Sequence, residues 1–323
     1  MGIHSTAKST IEMTKALPTF IIIGAGKSGT TALHQFCESH PEVWMANAKE
    51  TNFFELEGKP LTVDPKDDPE MRFHFEYSIN NWSDYHKEFE GGLDLPARGE
   101  SSPMYLYGER APKHIKEHIP NIKLVAILRD PVQRLYSRWT HLLRDQVDPV
   151  SQLEFSTCLE PNSIWNRRND LIQEGFYHTH LSRYTELYGP DQLKVFLFDD
   201  LRAHPDQVMR ELFEHIGVDA HYKPDLEREF NVSGKPKNPV IDALIGTNSF
   251  IIQGAKKLAP SLISKLRKSA AAQAILLNVR KKNMEKPDVN TEVFHKLYHT
   301  YYKKEVEALE KLIGRDLSSW KKY

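Results

Sequence analysis

The sequence predicts an α/β fold of three layers, in which a central parallel β-sheet lies between helices. Two observations carry this prediction. Short apolar runs rich in β-branched residues occur at 19–23, 123–128 and 193–198, and a stretch with helical spacing of apolar residues follows each run. Buried strands that alternate with helices are typical of parallel sheets covered on both faces. Because ligands bind such folds at the carboxyl ends of the strands, a site is expected in the loops after these runs.

The first run ends at a glycine-rich segment. Residues 24–31 are Gly-Ala-Gly-Lys-Ser-Gly-Thr-Thr, and apolar residues at helical spacing continue to Ser39. A glycine-rich turn between a buried strand and a helix presents backbone N–H groups and the positive helix end to an anion. The segment is therefore predicted to bind a phosphate-like group.

The position of the lysine narrows the kind of anion site. A nucleotide-triphosphate loop of the Walker type has Gly-Lys-Ser/Thr in direct succession, whereas Lys27 stands two residues before Gly29. Lys27 thus lies inside the turn, while Thr30 and Thr31 place hydroxyl groups in the first helical turn. The pattern favours group transfer away from a nucleotide 5'-phosphate.

The second run is followed by Arg129-Asp130-Pro131, where Asp130 is expected to cap a helix that has Pro131 in its first turn. One face of this predicted helix is polar and cationic, at Arg134, Ser137, Arg138 and His141. Taken alone, its arginines are expected to face solvent or to pair with nearby carboxylates.

The third run leads into a helix predicted to extend through about Ile216. Near the C-terminus, an apolar helical stripe from Phe294 ends at Gly314, a typical helix stop. The chain is predicted to form a single domain over 1–323, with a flexible N-terminus at 1–17. Residues 56–98, which include one predicted helix after Ser83, and residues 240–290 are expected to be excursions on the acceptor side or a lid.

Composition excludes several classes of protein. Hydrophobic residues make up 40% of the 323 residues and charged residues 27%, as in ordinary globular proteins. Cys37 and Cys158 are far apart, and residues 1–18 lack an apolar run of the kind found in signal peptides, so we expect a soluble protein without a disulfide framework in a reducing, cytoplasmic compartment. No zinc spacing, Ser-His-Asp signature or nucleic-acid motif is present.

The net charge of -1 conceals one strongly basic stretch. Residues 243–284 contain eight Lys or Arg and no Asp or Glu. Such a stretch is most simply a solvated helical face, although it would also suit an anionic acceptor or a membrane surface. The oligomeric state is not indicated.

Two motifs now identify a family. The segment from Gly24 to Leu33 resembles the 5'-phosphosulfate motif of sulfotransferases that use PAPS, 3'-phosphoadenosine 5'-phosphosulfate. Residues 123–139 are similar to the family's 3'-phosphate segment, in which an arginine ends the strand and a serine follows eight residues later, here Arg129 and Ser137. A guanidinium can hold a ribose 3'-phosphate through two parallel hydrogen bonds.

The resemblance covers nearly the whole chain and points to the bacterial and heparan-sulfate-sulfotransferase-like branch. It implies a P-loop-NTPase-like form of the αβα fold, PAPS as donor, PAP as product and no required metal. The implied donor-binding residues are Gly26, Lys27, Ser28, Gly29, Thr30, Thr31, Arg129, Ser137, Gly234 and Lys235. Among them, Lys27 is implied to be catalytic, because it would stabilise the departing phosphate.

The acceptor side also has a candidate base. Lys49-Glu50-Thr51-Asn52-Phe53-Phe54 resembles the segment that carries the catalytic glutamate in glycan-modifying branches, so Glu50 is the candidate general base. Two alternatives stay open: Glu50 pairs with a lysine or caps a helix, or a histidine is the base, as in small-molecule cytosolic sulfotransferases. His141 and His178 lie nearest the motifs. The candidate acceptor contacts are Phe54, Tyr105, His141, Trp165 and Tyr177, although aromatic residues at such positions are core residues at least as often.

One departure from the family bears on the acceptor. Glycan sulfotransferases of this type often have Glu-Lys-x-Pro where this chain has Glu100-Ser101-Ser102-Pro103, so a lysine near the reacting centre is missing. A glycosaminoglycan acceptor is therefore less strongly indicated, and we expect a small molecule or soluble saccharide that reacts at a hydroxyl or amine. Two other functions stay open, a P-loop kinase of a small metabolite and a non-catalytic nucleotide- or glycan-binding protein.

Overall fold

The structure is a computed structural model that describes residues 16–61, 78–145, 148–226, 235–237, 279, 282–285 and 287–323. The strands within these ranges are β1 (Phe20–Gly24), β2 (Val43–Met45), β3 (Ala97–Ser101), β4 (Lys123–Leu128), β5 (Leu193–Leu197), β6 (Lys235–Pro236) and β7 (Met284–Glu285). The α-helices described are α1 (Thr30–Glu38), α2 (Phe53–Leu56), α3 (Trp82–Lys87), α4 (Met104–Tyr107), α5 (Ala111–His118), α6 (Pro131–Asp145), α7 (Ile164–Arg167), α8 (Tyr177–Thr185), α9 (Phe198–Ala203), α10 (Pro205–Ile216), α11 (Thr291–Leu297) and α12 (Lys303–Ile313).

A parallel sheet with the order β2-β3-β1-β4-β5 forms the centre of the fold. In its middle strand, Ile21 and Ile23 pack into one hydrophobic cluster, with α6 and α12, while Phe20 and Ile22 pack into a second, with α1 and α10. Successive side chains of a strand point to opposite faces, so both faces of the sheet are covered by helices. The predicted three-layer α/β fold with a central parallel sheet and a helical C-terminal part is confirmed.

The predicted strands are present within one residue of their expected ends, but the helix expected through Ile216 is in fact two helices. The α9 helix ends at Ala203, and α10 begins at Pro205. Proline lacks an N–H and restricts the residue before it, so it starts a helix readily and interrupts one. At the C-terminus, α11 and α12 are joined by a π-helical turn over Tyr298–Tyr302, and Gly314, with φ of 61°, ends α12 as expected.

Four strands and one boundary differ from the prediction. The strands β2, β3, β6 and β7 were not expected, and β3 enters the region 56–98 that was predicted to be an excursion. Residues 16 and 17, predicted to be flexible, are packed: Ala16 is 5% exposed, and the Leu17 carbonyl accepts a hydrogen bond from Arg98 Nε at 2.9 Å. Residues 1–15, 62–77 and 238–278 lie outside the described residues, so the proposed lids stay predictions.

Cys37 and Cys158 are both buried, free thiols. Among the described residues, no helix combines the length and the apolar character that a membrane crossing requires.

Candidate active site

The loops after β1, β3, β4 and β5 meet at the carboxyl edge of the sheet around one cavity of about 450 Å³. Its walls are formed by Gly26, Lys27, Gly29, Thr30, Thr31, Ala32, Lys49, Glu50, Asn52, Pro103, Met104, Tyr107, Arg129, Ser137, Arg138, His141, Asp170, Glu174 and Phe198. Segments far apart in sequence are thereby brought together at the edge where ligands bind in parallel α/β folds.

The glycine-rich loop forms one wall of the cavity. Gly29 precedes the first turn of α1 with φ of 106°, and a side chain there would meet Phe198 Cδ2 at 3.2 Å from its Cβ. Lys27 also has a positive φ, 63°, a conformation that costs a non-glycine residue about 1 kcal/mol or more. The N-terminus of α1, including the buried Thr30, therefore faces a cavity that a side chain at position 29 would narrow.

Arg129 lies beside this loop. One of its guanidinium nitrogens, Nη1, donates a hydrogen bond to the Lys27 carbonyl at 3.2 Å, and the guanidinium carbon lies 4.9 Å from the centre of the Phe198 ring. Burial lowers the pKa of Arg129, and Tyr177, Asp130 and Asp199 oppose the shift. These contacts keep a half-buried cation at the cavity wall.

The helix that carries Ser137 is fixed by the predicted cap. Asp130 Oδ1 accepts hydrogen bonds from the N–H groups of Val132 and Gln133, at 2.9 and 3.2 Å. This is the N-cap arrangement that satisfies the first free N–H groups of a helix. Ser137 consequently lies two turns along α6, on the same cavity wall as Arg129.

Glu50 lies on the opposite side of the cavity in an unusual backbone conformation, with φ of 66°. Its N–H donates to the Ser101 carbonyl at 3.1 Å, and its carboxylate accepts a hydrogen bond from Lys49 Nζ at 2.6 Å. The Glu50 side chain is 48% exposed. The lysine pairing left open by the sequence is thus present, and it leaves Glu50 on the cavity wall.

A buried carboxylate anchors the segment that carries Glu50. Glu100, at the end of β3, is fully buried and accepts hydrogen bonds from the hydroxyl groups of Thr51, Tyr85, Ser102 and Tyr105. Burial raises the pKa of Glu100, and these four hydroxyl groups oppose the shift. Because Thr51 directly follows Glu50, the network ties the backbone of the candidate base to the sheet.

Two buried ion pairs lie near α6, and three of their four residues, Arg138, Asp170 and Glu174, line the cavity. Arg134 Nη1 lies 2.7 Å from Glu174 Oε2, and Arg138 Nη2 lies 2.5 Å from Asp170 Oδ2. Asp170 is shared with Arg168, at 2.8 Å. The expectation that the α6 arginines pair with carboxylates is confirmed, but Arg134 is fully buried rather than on the surface.

The predicted site residues separate into two groups. Nine line the cavity: Gly26, Lys27, Gly29, Thr30, Thr31, Glu50, Arg129, Ser137 and His141. Ser28, which belongs to the same loop, is fully buried. Gly234 lies outside the described residues, and Lys235 is described only as part of β6, which pairs with β7. A donor contact by these last two stays a prediction.

The aromatic candidates do not line the cavity. Phe54 packs against Tyr85 and Tyr105 in the core, and Trp165 packs against Phe155 and donates its Nε1–H to Thr157 Oγ1 at 2.9 Å. Both side chains lie in the core, the alternative that the sequence left open, because large aromatic side chains supply much of a core's buried area; an acceptor contact by either stays a prediction.

The other two aromatic candidates are also buried. The Tyr105 hydroxyl bonds Glu100, and Tyr177 packs against Trp320. Burial raises the pKa of the Tyr177 phenol, and Arg134 and Ser28 oppose the shift. Neither ring lines the cavity. Tyr177 nevertheless lies close to Ser28 of the glycine-rich loop.

Several wall residues had not been selected from the sequence. Lys49 and Asn52 lie close to Glu50 in the sequence, and Phe198 is the last residue of a predicted strand, so proximity to a motif or to a strand end would have found them. Asp170 and Glu174 lie in a segment without a motif or a regular apolar pattern, and no signal in the sequence marks them.

His34 is buried in α1, one turn after Thr30, and is held neutral near Glu50. Burial lowers its pKa to about 4, with Lys49 acting in the same direction and Glu50 opposing. Since its folded pKa lies below the unfolded value of about 6.5, its stabilising effect is complete above pH 6.5 and is lost as the pH falls towards 4.

Changing His34 to Gln is therefore expected to make stability less sensitive to acid. Between pH 7 and pH 5, protonation of His34 is expected to lower the free energy of unfolding of the wild type by about 2 kcal/mol. The variant should not show this loss. Denaturant unfolding at the two pH values measures it, with the exposed His221 changed to Gln as control. Identical pH dependence in wild type and His34→Gln would contradict the prediction.

Comparison with known proteins agrees with this geometry. The model of the sulfotransferase family matches residues 18–222, more than half of the chain. A mouse protein, bifunctional heparan sulfate N-deacetylase/N-sulfotransferase 3, is 31% identical over 216 residues, which cover 64% of this chain and 23% of the mouse protein. The corresponding Drosophila melanogaster enzyme is 26% identical over 255 residues, which cover 70% of this chain and 23% of that protein. The chain thus spans about a quarter of these relatives.

A solved structure resembles the chain over nearly its whole length. The crystal structure of a sulfotransferase from Alicyclobacillus acidocaldarius has a TM-score of 0.65 and 24% sequence identity, and the match covers 95% of this chain and 99% of the other. This likeness supports the fold.

Proposed function

Because the chain belongs to the sulfotransferase family, we propose that it moves a sulfuryl group from PAPS to a hydroxyl or amino group of a small-molecule or saccharide acceptor. Lys27 and Glu50 lie on the walls of the same cavity, together with Arg129 and Ser137. This arrangement supports a donor site and an acceptor site that share one reacting centre.

The observation that carries the proposal is the position of Arg129, whose guanidinium is hydrogen-bonded to the glycine-rich loop. Among the described residues, the Arg129 side chain donates a hydrogen bond to the Lys27 carbonyl and lies over the Phe198 ring; Asp130 and Asp199 act on it electrostatically, but no carboxylate lies within ion-pair distance. A half-buried guanidinium without a bound carboxylate is poised for an anion. A nucleotide with phosphates on both its 5' and 3' carbons would be held by the loop at one end and by Arg129 at the other.

The roles of the residues follow from the chemistry. PAPS supplies an activated SO₃ group: its sulfur–oxygen bond to the 5'-phosphate breaks as a bond from sulfur to the acceptor forms. Lys27 and the loop N–H groups stabilise the negative charge that returns to the phosphate, and the carboxylate of Glu50 receives the acceptor's proton. Fixed cations and backbone dipoles supply the stabilisation, so the proposal requires no metal.

The acceptor class is supported by similarity and by the charged groups that line the cavity. The mouse and Drosophila relatives are named for heparan sulfate, which favours a saccharide. Charges of both signs lie on the cavity wall, since Lys49 pairs with Glu50 and Arg138 with Asp170. Such a wall suits a saccharide with few charges better than a polyanion.

A transfer assay with excess chelator tests the function. The protein is incubated with PAPS and a panel of mono- and oligosaccharides with free hydroxyl or amino groups, and mass spectrometry detects the gain of one SO₃ group. Transfer from PAPS is expected with EDTA present. No transfer from PAPS, together with phosphorylation of an acceptor that requires ATP and Mg²⁺, would indicate the kinase alternative. Binding of PAP without transfer to any acceptor would favour the binding-protein alternative.

Arg129→Ala is expected to weaken PAP binding by about 100-fold, because it removes a half-buried cation from a doubly charged phosphate. Calorimetry with PAP and with AMP, which lacks the 3'-phosphate, measures the effect. The wild type should prefer PAP strongly, and the variant should bind both nucleotides similarly. The exposed Arg210, which pairs with Glu214, is changed to Ala as the control, and an unchanged preference for PAP in Arg129→Ala would contradict the role.

A further inference from the structure

A buried carboxylate of the cavity wall, Glu174, contacts the backbone of the glycine-rich loop. The Gly26 N–H donates a hydrogen bond to Glu174 Oε1 at 2.6 Å, and Glu174 Oε2 accepts one from Arg134 Nη1 at 2.7 Å. The side chains of Glu174 and Arg134 are 4% and 0% exposed. A Cβ at position 26 would lie 2.8 Å from Glu174 Oε1, so the contact needs glycine there. This carboxylate is close-packed against the loop.

Backbone carbonyl groups also hold the ion pair of Glu174 and Arg134 in place. Arg134 Nη1 donates to the Asp170 carbonyl at 3.3 Å, and Nη2 donates to the Leu171 carbonyl. Arg134 lies one turn before Ser137 on α6. The pair therefore connects the loop that carries Lys27 to the helix that carries Ser137, and burial makes the connection costly to break.

The contact acts on Lys27 through the backbone. Glu174 fixes the N–H of Gly26, and Arg129 fixes the carbonyl of Lys27, so the two residues are held at both ends. Lys27 has φ of 63° between these contacts. An isolated lysine disfavours this conformation, and opposed hydrogen bonds on the flanking groups maintain it.

We propose that Glu174, supported by Arg134, is a positioning residue that holds the Gly26–Lys27 backbone and thereby orients Lys27. The proposal deepens the proposed function and rests on it only for the effect on turnover. The hold on the loop is a property of the ligand-free protein and is measurable without PAPS.

The test compares two double variants that both lack the ion pair. In Arg134→Met with Glu174→Gln, the amide oxygen still accepts from the Gly26 N–H, whereas in Arg134→Met with Glu174→Met nothing replaces that acceptor. Removing both charges avoids the unpaired buried ion that a single substitution would leave. Hydrogen–deuterium exchange of the peptide spanning 24–31 is measured in ligand-free protein, with thermal unfolding as the check on folding.

Loop exchange is expected to be about tenfold faster in the Met/Met variant than in the Met/Gln variant, at similar unfolding temperatures. With PAPS and an acceptor, kcat of the Met/Met variant should fall about tenfold below that of the Met/Gln variant, with a smaller change in PAP affinity. Equal exchange in the two variants would overturn the proposal and leave Glu174 as an internal ion pair. A wild type that does not bind PAP would instead contradict the proposed function, and the exchange comparison would still decide the role of Glu174.

Discussion

Lys27→Ala is expected to lower kcat about 10³-fold while PAP binding remains measurable. Lys27 is the only lysine in the loop, and it lies on the cavity wall beside Arg129. Removing one neutral donor from a preorganised anion site costs about 10²–10³ in kcat, and an ammonium that meets a developing charge belongs at the upper end of that range. Stopped assays at saturating PAPS measure kcat, and calorimetry with PAP measures binding.

The control for Lys27 is the exposed Lys87, which pairs with Asp84 on α3, changed to Ala. Lys27→Arg adds a second comparison, because it keeps the positive charge with a different shape and should recover part of the lost turnover. If Lys27→Ala retained turnover within tenfold of the wild type, the loop would not stabilise the leaving phosphate, and the catalytic assignment would fail.

The fold was largely predictable because apolar periodicity reports burial. The strands β1, β4 and β5 are the middle and one side of the sheet, and their apolar runs were visible. By contrast, β3 reads Ala-Arg-Gly-Glu-Ser. Gly99 is needed there because a Cβ would lie 2.1 Å from the Phe20 ring, and Glu100 is buried only because four hydroxyl groups bond it. These contacts come from residues elsewhere in the chain, so they leave no local pattern of apolar residues in the sequence of β3.

The site residues that follow a strand directly could be predicted from the sequence, whereas those brought in by contacts between distant segments could not. The loop and Arg129 follow strands directly, so motif and topology located them together. Glu174 comes from an irregular segment 148 residues further along the chain than Gly26, and only folding brings the two into contact. The aromatic candidates show the same limit, since the sequence shows that Trp165 is large and apolar but not that its side chain is fully buried in the core.

Glu50→Gln is expected to lower kcat by about 10²–10⁴-fold with little change in PAP affinity, because the amide cannot take the acceptor's proton. Glu50 is exposed to the cavity, paired with Lys49 at 2.6 Å, and anchored through Thr51 to the buried Glu100. The wild-type pH–rate profile should show an acidic limb, where the base becomes protonated, and the variant should lack it. The exposed Glu38 on α1, changed to Gln, is the matched control.

The same profile separates the carboxylate from a histidine base. His34 is held neutral down to about pH 4 by burial and does not line the cavity, while His141 does line it and lies 2.7 Å from Arg144. If Glu50→Gln kept full activity and its acidic limb, Glu50 would be dismissed, and His141→Gln should then abolish the limb. If only Glu50→Gln removes the limb, proton transfer belongs to the carboxylate.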